Sequence, residues 1–523
     1  MNESPRTRRE FLGQVGQGTL LATLGGGIAS ELGISPALAE DAPAPLNFGP
    51  LESLVCLMQE TPVKQLLPKL NAALQSGTDL KTLVAAAGLA NARTCGGEDY
   101  DGFHTMMALG PCYAMSHQMP KGQEALPVFK VLYRNSVVMN GSGGRAHEVL
   151  KTVAPLPLPT GQAAGEAIRE AARRRDLRTA EGLFASLSSQ APEEAFNQLL
   201  YEVQDDTEVH RVVLPYRAWD LSGIIGREHA HTLLRQSVHY CLSAEKSWAK
   251  ENARPLLVKW MEEHKLLDRT PGTRRPDDAW MESFSMLLFS SSPEQAAEAT
   301  AAALAEGIDP ADIGECLTLA TNQVMLRDHG RPPEAEDPKV IGSVHGNSLG
   351  VHSCDAANAW RGMARAGNTR NKYACLIMGA FHAARDRLEG AMCRYKAPEI
   401  QNWTPLPIKQ HLEEIKTTDA QKLLQMTEGA IRRNMQAHAC AAIQRYGEAG
   451  HDPRAAFDLM LKYAISEDGA LHGEKFYQAS YEEFNTTRPA FRWRHLVALA
   501  RVTASEHGTP APGMQEARAL LKV

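Results

Sequence analysis

No cysteine in this 523-residue chain belongs to a C-x-x-C pair or to a C-x-x-C-H motif. The zinc-ribbon and c-type haem signatures are therefore missing. The nine cysteines, Cys56, Cys95, Cys112, Cys241, Cys316, Cys354, Cys375, Cys393 and Cys440, are odd in number and leave at least one thiol unpaired. Most stand in helix-compatible, apolar surroundings, where a thiol packs as a small apolar group, so one or two disulfides at most are expected. Beyond the first forty residues no apolar run reaches the roughly 18 residues that a membrane span needs, and the mature chain is expected to have no transmembrane anchor. Positive charge is not in excess either. A formal net charge of −6 argues against nucleic acid and against anionic lipid as partners. Strand-like runs are scarce, Val131 to Met139 and Val209 to Leu214 being the best, and no fixed-period repeat points to a solenoid.

What fills the chain is helical periodicity. Apolar residues recur at three- and four-residue spacing over Leu51 to Gln75, Asp79 to Ala92, Gly161 to Arg175, Glu228 to Lys250 and Pro293 to Glu306. The same spacing runs through Asp309 to Arg327, Ser353 to Ala366, Asn371 to Glu389, Asp419 to Tyr446, Pro453 to Ile465 and Pro489 to Ser505. Ser292-Pro293 and Asp309-Pro310 each place proline at a first helical position behind a capping residue. The expected fold is all-α, an irregular array of helical hairpins with about twenty helices and little or no sheet. Proline-rich joints at 154–159, 270–277 and 330–338 divide it into helical blocks over 51–153, 160–328 and 339–523, free to pack as one domain.

The N-terminus has its own grammar. Thr7-Arg8-Arg9-Glu10-Phe11-Leu12 precedes a glycine-broken apolar stretch and Ala37-Leu38-Ala39. This order resembles a bacterial twin-arginine (Tat) signal peptide over 1–39, with Arg8, Arg9, Phe11 and Leu12 carrying recognition and 40–50 serving as linker. The resemblance implies export of a folded protein to the periplasm or beyond, with the Tat translocase and a signal peptidase as partners. The chain looks like exported bacterial proteins of planctomycete type.

Eighteen histidines supply the chemistry most open to a function. Arg227-Glu228-His229-Ala230-His231 places Glu228 and His231 on one helical face, the Glu-x-x-His spacing of di-metal helical sites; the second such motif those sites need is missing. Only one of His229 and His231 can face a given partner. The run from His345 to Asp355 offers His345 and His352. On one straight helix these would stand about 10 Å apart, too far to share an ion, whereas a loop through Gly346 and Gly350 can turn both inward. Asp355 would then ligate the ion or orient an imidazole. His104, in Phe103-His104-Thr105-Met106-Met107, repeats the His-Thr-apolar-apolar form of His231 to Leu234 and is a further candidate. Gly469 to Lys475 is expected to be an exposed capping turn that opens a helix. Gly346-Asn347-Ser348-Leu349-Gly350 is a literal G-x-S-x-G, which makes Ser348 an alternative nucleophile, with Asp468 and His472 the most available acid and base. That motif belongs to folds rich in parallel strands, which this chain does not supply.

Phe103 to Gly110 and His345 to Arg361, the latter ending Asp355-Ala356-Ala357-Asn358-Ala359-Trp360-Arg361, resemble the questin oxidase-like family of helical proteins. The resemblance implies an oxygen-inserting enzyme acting on aromatic polyketides. Taken together, the expectation is an exported, histidine-ligated metalloprotein. His104, Glu228, His231, His345, His352 and Asp355 would surround a transition-metal ion (iron, copper or zinc), and a small molecule would be oxidised or reduced there. A serine hydrolase using Ser348 and a non-catalytic helical binding protein are the alternatives.

Overall fold

The computed structural model describes residues 43–245, 253–332, 341–344, 348–389 and 399–523. Among them are 23 α-helices joined by short 3-10 turns, with isolated bridges and no sheet, so the all-α expectation holds. The twin-arginine segment and His345 lie outside the described residues. Local chemistry sets the helix starts. Asp79, Asp99, Ser292, Asp309, Ser348 and Asp452 each cap a helix by accepting a backbone N–H in the first turn, and Ser292 with Gln295 completes a capping box. The Leu51 to Gln75 pattern is two helices, Glu52–Glu60 and Val63–Gln75, because Pro62 forces an extended residue before it. The Asp419 to Tyr446 pattern likewise divides into Ala420–Ile431 and Gln436–Glu448 around Asn434, whose φ is 53°.

Both strand-like runs are helical, as the middles or starts of Ala125–Gly141 and Val209–Ile225. Their β-branched residues recur at 209, 212 and 213, and burial on both sides makes them look continuous. Tertiary packing outweighs the small helix penalty of valine.

A single hydrophobic core runs through all three blocks. At its centre four helices close a ring. Tyr100–Ser116 packs on Val209–Ile225 and on His472–Thr486, and Leu349–Ala366 packs on the same two. Gly362 lets one pair of these helices approach closely, because a Cβ there would collide with the Tyr216 ring. The described cysteines, all but Cys393, are free thiols. Among the described residues no helix is long and apolar enough to cross a membrane.

Candidate metal centre

Each helix of the ring carries one histidine within its first two turns: His104, His210, His352 and His472. All four side chains are buried, at 2–6% exposure. Their rings meet. His104 lies 4.8 Å from His210 and 5.2 Å from His472, while His352 lies 6.0 Å from His210 and 5.3 Å from His472, centroid to centroid.

Hydrogen bonds behind the rings fix which nitrogen faces inward. His104 Nδ1 is 2.7 Å from the Tyr100 carbonyl oxygen, and His210 Nδ1 is 2.8 Å from Glu208 Oε1. His472 Nδ1 is 3.1 Å from the Ala470 carbonyl oxygen. An imidazole that donates its Nδ1 proton to an oxygen keeps its lone pair on Nε2. The Nε2 atoms of His104 and His210 then face each other at 3.2 Å. Two lone pairs at that distance repel; a proton on one nitrogen or a metal ion beside both relieves this. His352 is barer still, with neither ring nitrogen finding a hydrogen-bond partner among the described residues.

Glu208 is built for its position. It caps the Val209–Ile225 helix by accepting from the His210 and Arg211 backbone N–H groups, holds His210 Nδ1, and accepts from the Tyr240 hydroxyl at 2.7 Å. Burial alone would push its carboxyl up, but these donors, His210 foremost, hold it well below the usual range. The turn presenting His472 is held in an uncommon shape, with Ala470 at φ 45° and Leu471 at φ 67°. Two consecutive non-glycine residues in the left-handed region cost about 1–3 kcal/mol each and persist only where surroundings dictate them. The expected exposed turn is largely buried: Ala470 is open to solvent, but His472 and Lys475 face the ring and Glu474 pairs with Lys130 of Ala125–Gly141 at 2.6 Å.

The charge next to the imidazoles is paired. One turn beyond His472, Lys475 Nζ stands 3.1 Å from Asp355 Oδ2, one turn beyond His352. Arg217 approaches Asp355 Oδ1 at 3.8 Å and donates to Asn358, which donates to Glu483, itself paired with Arg361. Burial would raise the Asp355 carboxyl, but Lys475 and Arg217 hold it below its ordinary value. The same Lys475 acts on the histidines. Burial first, then Lys475 and His210, push His104 well below the usual imidazole range; burial, then His210 and Lys475, lower His352 to about 4. The positive ends of the helix dipoles act in the same sense. His104 and His352 are therefore neutral at neutral pH, the form that ligates metals.

Of the sequence candidates, the structure thus brings His104, His352 and Asp355 together, Asp355 as the counter-charge of Lys475 rather than facing an imidazole nitrogen directly. Glu228 and His231 do not join them. Glu228 sits exposed in a 3-10 turn, Arg227–His229, before the helix begins at Ala230, so the assumed common face does not exist. His231 stacks on Phe184 at 4.7 Å and its Nε2 lies 3.0 Å from the Phe184 carbonyl oxygen. His229 lines a separate surface cleft with Glu228. Ser348 is a helix cap, its Oγ accepting from the Val351 N–H at 3.1 Å, with no strand before it among the described residues; Asp468 pairs with Arg134. His210 is the residue the sequence concealed, because it lies inside a short valine-rich run that suits a strand as well as a helix. Glu208 two residues earlier, a capping acid before a 3.6-period pattern, was the available signal.

Aromatic rings line one side of the cluster. Tyr100 and Phe103 contact both His104 and His210, and Phe103 meets Tyr240 edge-on at 5.0 Å. Tyr100 is 55% exposed, which marks this side as the approach from solvent. No protein family, no curated protein and no solved structure matches the chain.

Proposed function

We propose that the protein is an exported metalloenzyme of the oxidoreductase class, with a transition-metal ion held by His104, His210, His352 and His472. The observation that carries the reading is the 3.2 Å approach of two Nε2 atoms whose Nδ1 partners are both oxygens. Two nitrogens bound to one ion at about 2.0–2.1 Å stand about 3.3 Å apart in tetrahedral geometry, so the His104–His210 pair already has ligand spacing, while His352 and His472 stand farther off and must draw in to complete the set. Imidazole suits iron, copper and zinc alike. Neutral donors leave the ion's charge uncompensated and favour a lower oxidation state, which supports iron or copper for redox work. When bound, such an ion supplies one-electron chemistry and a site for oxygen or substrate.

The chain's own groups do the rest. Glu208, Tyr100 and Ala470 orient three of the imidazoles through their Nδ1 atoms. The Lys475–Asp355 pair keeps the neighbouring charge balanced, and the burial of all four imidazoles keeps bulk water from them. Tyr100, exposed beside His104 and backed by Phe103, offers a ring to a planar, apolar small molecule. The stretches that resemble the questin oxidase-like family contain two of the four ligands, His104 and His352, which supports an oxygen-using reaction. The twin-arginine signal also suits a protein whose ion is inserted before export.

Metal analysis of the full chain, as purified and after anaerobic incubation with ferrous, cuprous or zinc ions, tests this. About one equivalent of iron or copper, with a reversible redox change in the absorption spectrum, is expected. Less than about 0.1 equivalent of any transition metal would end the proposal, since a proton shared between the two Nε2 atoms would then explain their contact. Uptake of zinc alone, where His352→Leu loses that zinc, would keep the ligands and remove the redox chemistry. Glu208→Gln, which removes the charge behind His210 while keeping an acceptor, is expected to weaken metal binding about tenfold, measured by chelator competition.

A further inference from the structure

We propose that His411, Glu414 and His438 form a second, peripheral site for a divalent transition-metal ion of the zinc type, on a face of the molecule that the histidine ring does not use. His411 and Glu414 are three residues apart on the six-residue helix Lys409–Glu414, and His438 is in the first turn of Gln436–Glu448. One donor atom from each lies within 4.8 Å of the other two. The two imidazoles are stacked, 4.0 Å between centroids with planes 28° apart. His411 Nδ1 is buried with no hydrogen-bond partner among the described residues, so it has a lone pair or a proton left to place.

Two histidines and a carboxylate are a three-ligand set that leaves a fourth position to water. Drawing the three donors to the roughly 3.3 Å spacing that one ion requires needs movement of about an ångström. The helix that would move is short and buries no residue, so little packing resists it. It is already tethered on the same side: Arg445 donates twice to the Leu412 carbonyl, at 3.1 and 2.8 Å, and His451 Nε2 lies 2.7 Å from the Thr418 carbonyl. An ion would add a third fastening and lock residues 408–418 against Gln436–Glu448. Leu412 of that strap, with Leu406 and Pro407 just before it, also walls a cleft that Leu326 and Val497 line, so the ion would constrain the cleft's shape.

The test uses the full chain carrying His352→Leu, in which the buried centre is removed whether or not that centre binds metal. Zinc titration against a chromophoric chelator is expected to show about one zinc per chain, lost on adding His438→Ala or His411→Ala. Hydrogen exchange of 409–414 is expected to slow with zinc in the His352→Leu protein and to be unaffected by zinc once His438 is replaced. Equal zinc uptake with and without His438, or unchanged exchange in 409–414, would overturn the proposal.

Discussion

Replacing His352 by leucine is expected to abolish iron or copper uptake and, in the metal-free protein, to raise stability. Both effects come from the same two atoms. With the ion present, an imidazole nitrogen of His352 is a ligand, and its loss should reduce iron or copper content from about one equivalent to under about 0.1. Without the ion, the same ring is buried with neither nitrogen hydrogen-bonded among the described residues. An unsatisfied buried polar group costs about 1–3 kcal/mol, and leucine of similar volume removes that cost. The difference should also depend on pH in a definite direction. His352 is lowered from 6.5 to about 4 by burial, then by His210 and Lys475. The unfolded chain takes up this proton as pH falls through 6.5, whereas the folded chain takes it up only near 4. Wild type therefore loses a contribution over that window that His352→Leu does not lose, so the gap widens by about 1.4 kcal/mol per pH unit between them. The comparison must be between the two proteins. Burial pushes Asp205 up to about 7, and that group destabilises in the opposite direction as pH rises. Urea midpoints of both metal-free proteins from pH 7 down to 4 measure it; a gap that stays constant would show that His352 does not titrate as a buried neutral base.

Asp355→Ala is expected to be the most damaging single change in the polar column below the imidazoles, costing about 3–5 kcal/mol. Lys475 and Arg217 are 1–2% exposed and both face this carboxylate. Its removal leaves Lys475 as an uncompensated charge in the interior, next to two histidines it already repels. Adding Lys475→Met to Asp355→Ala should recover most of the loss, since an apolar replacement of both partners leaves nothing unpaired. Thermal melts of the two variants and wild type decide it. If the double variant is as unstable as the single one, the cost lies in packing and not in charge.

Helix count and fold class were legible because amphipathic spacing and caps are local properties, as at Ser292-Pro293 and Asp309-Pro310. Two of the four imidazoles, His104 and His352, stood in recognisable clusters, and a third, His472, in a turn that looked like surface. What hid His472 was burial, which no local pattern reports: the residues around it are small or charged, yet they lie inside a helix ring closed by the other blocks. What hid His210 was periodicity. Valine at 209, 212 and 213 satisfies a strand and a helix alike over so short a run, and only the neighbouring ring of helices decides between them. Density of histidine misled at His229 and His231, where the helix starts two residues later than the motif requires.

The four imidazoles come from all three stretches of the chain, from residue 104 to residue 472. An ion among them would be a knot tied between distant parts of one string, closing long loops that cost much entropy to close once and little to keep closed. A chain stalled halfway through folding could not tie it. Possession of the metal would then certify that the whole body had been assembled, and its loss would be the earliest sign of unravelling from either end.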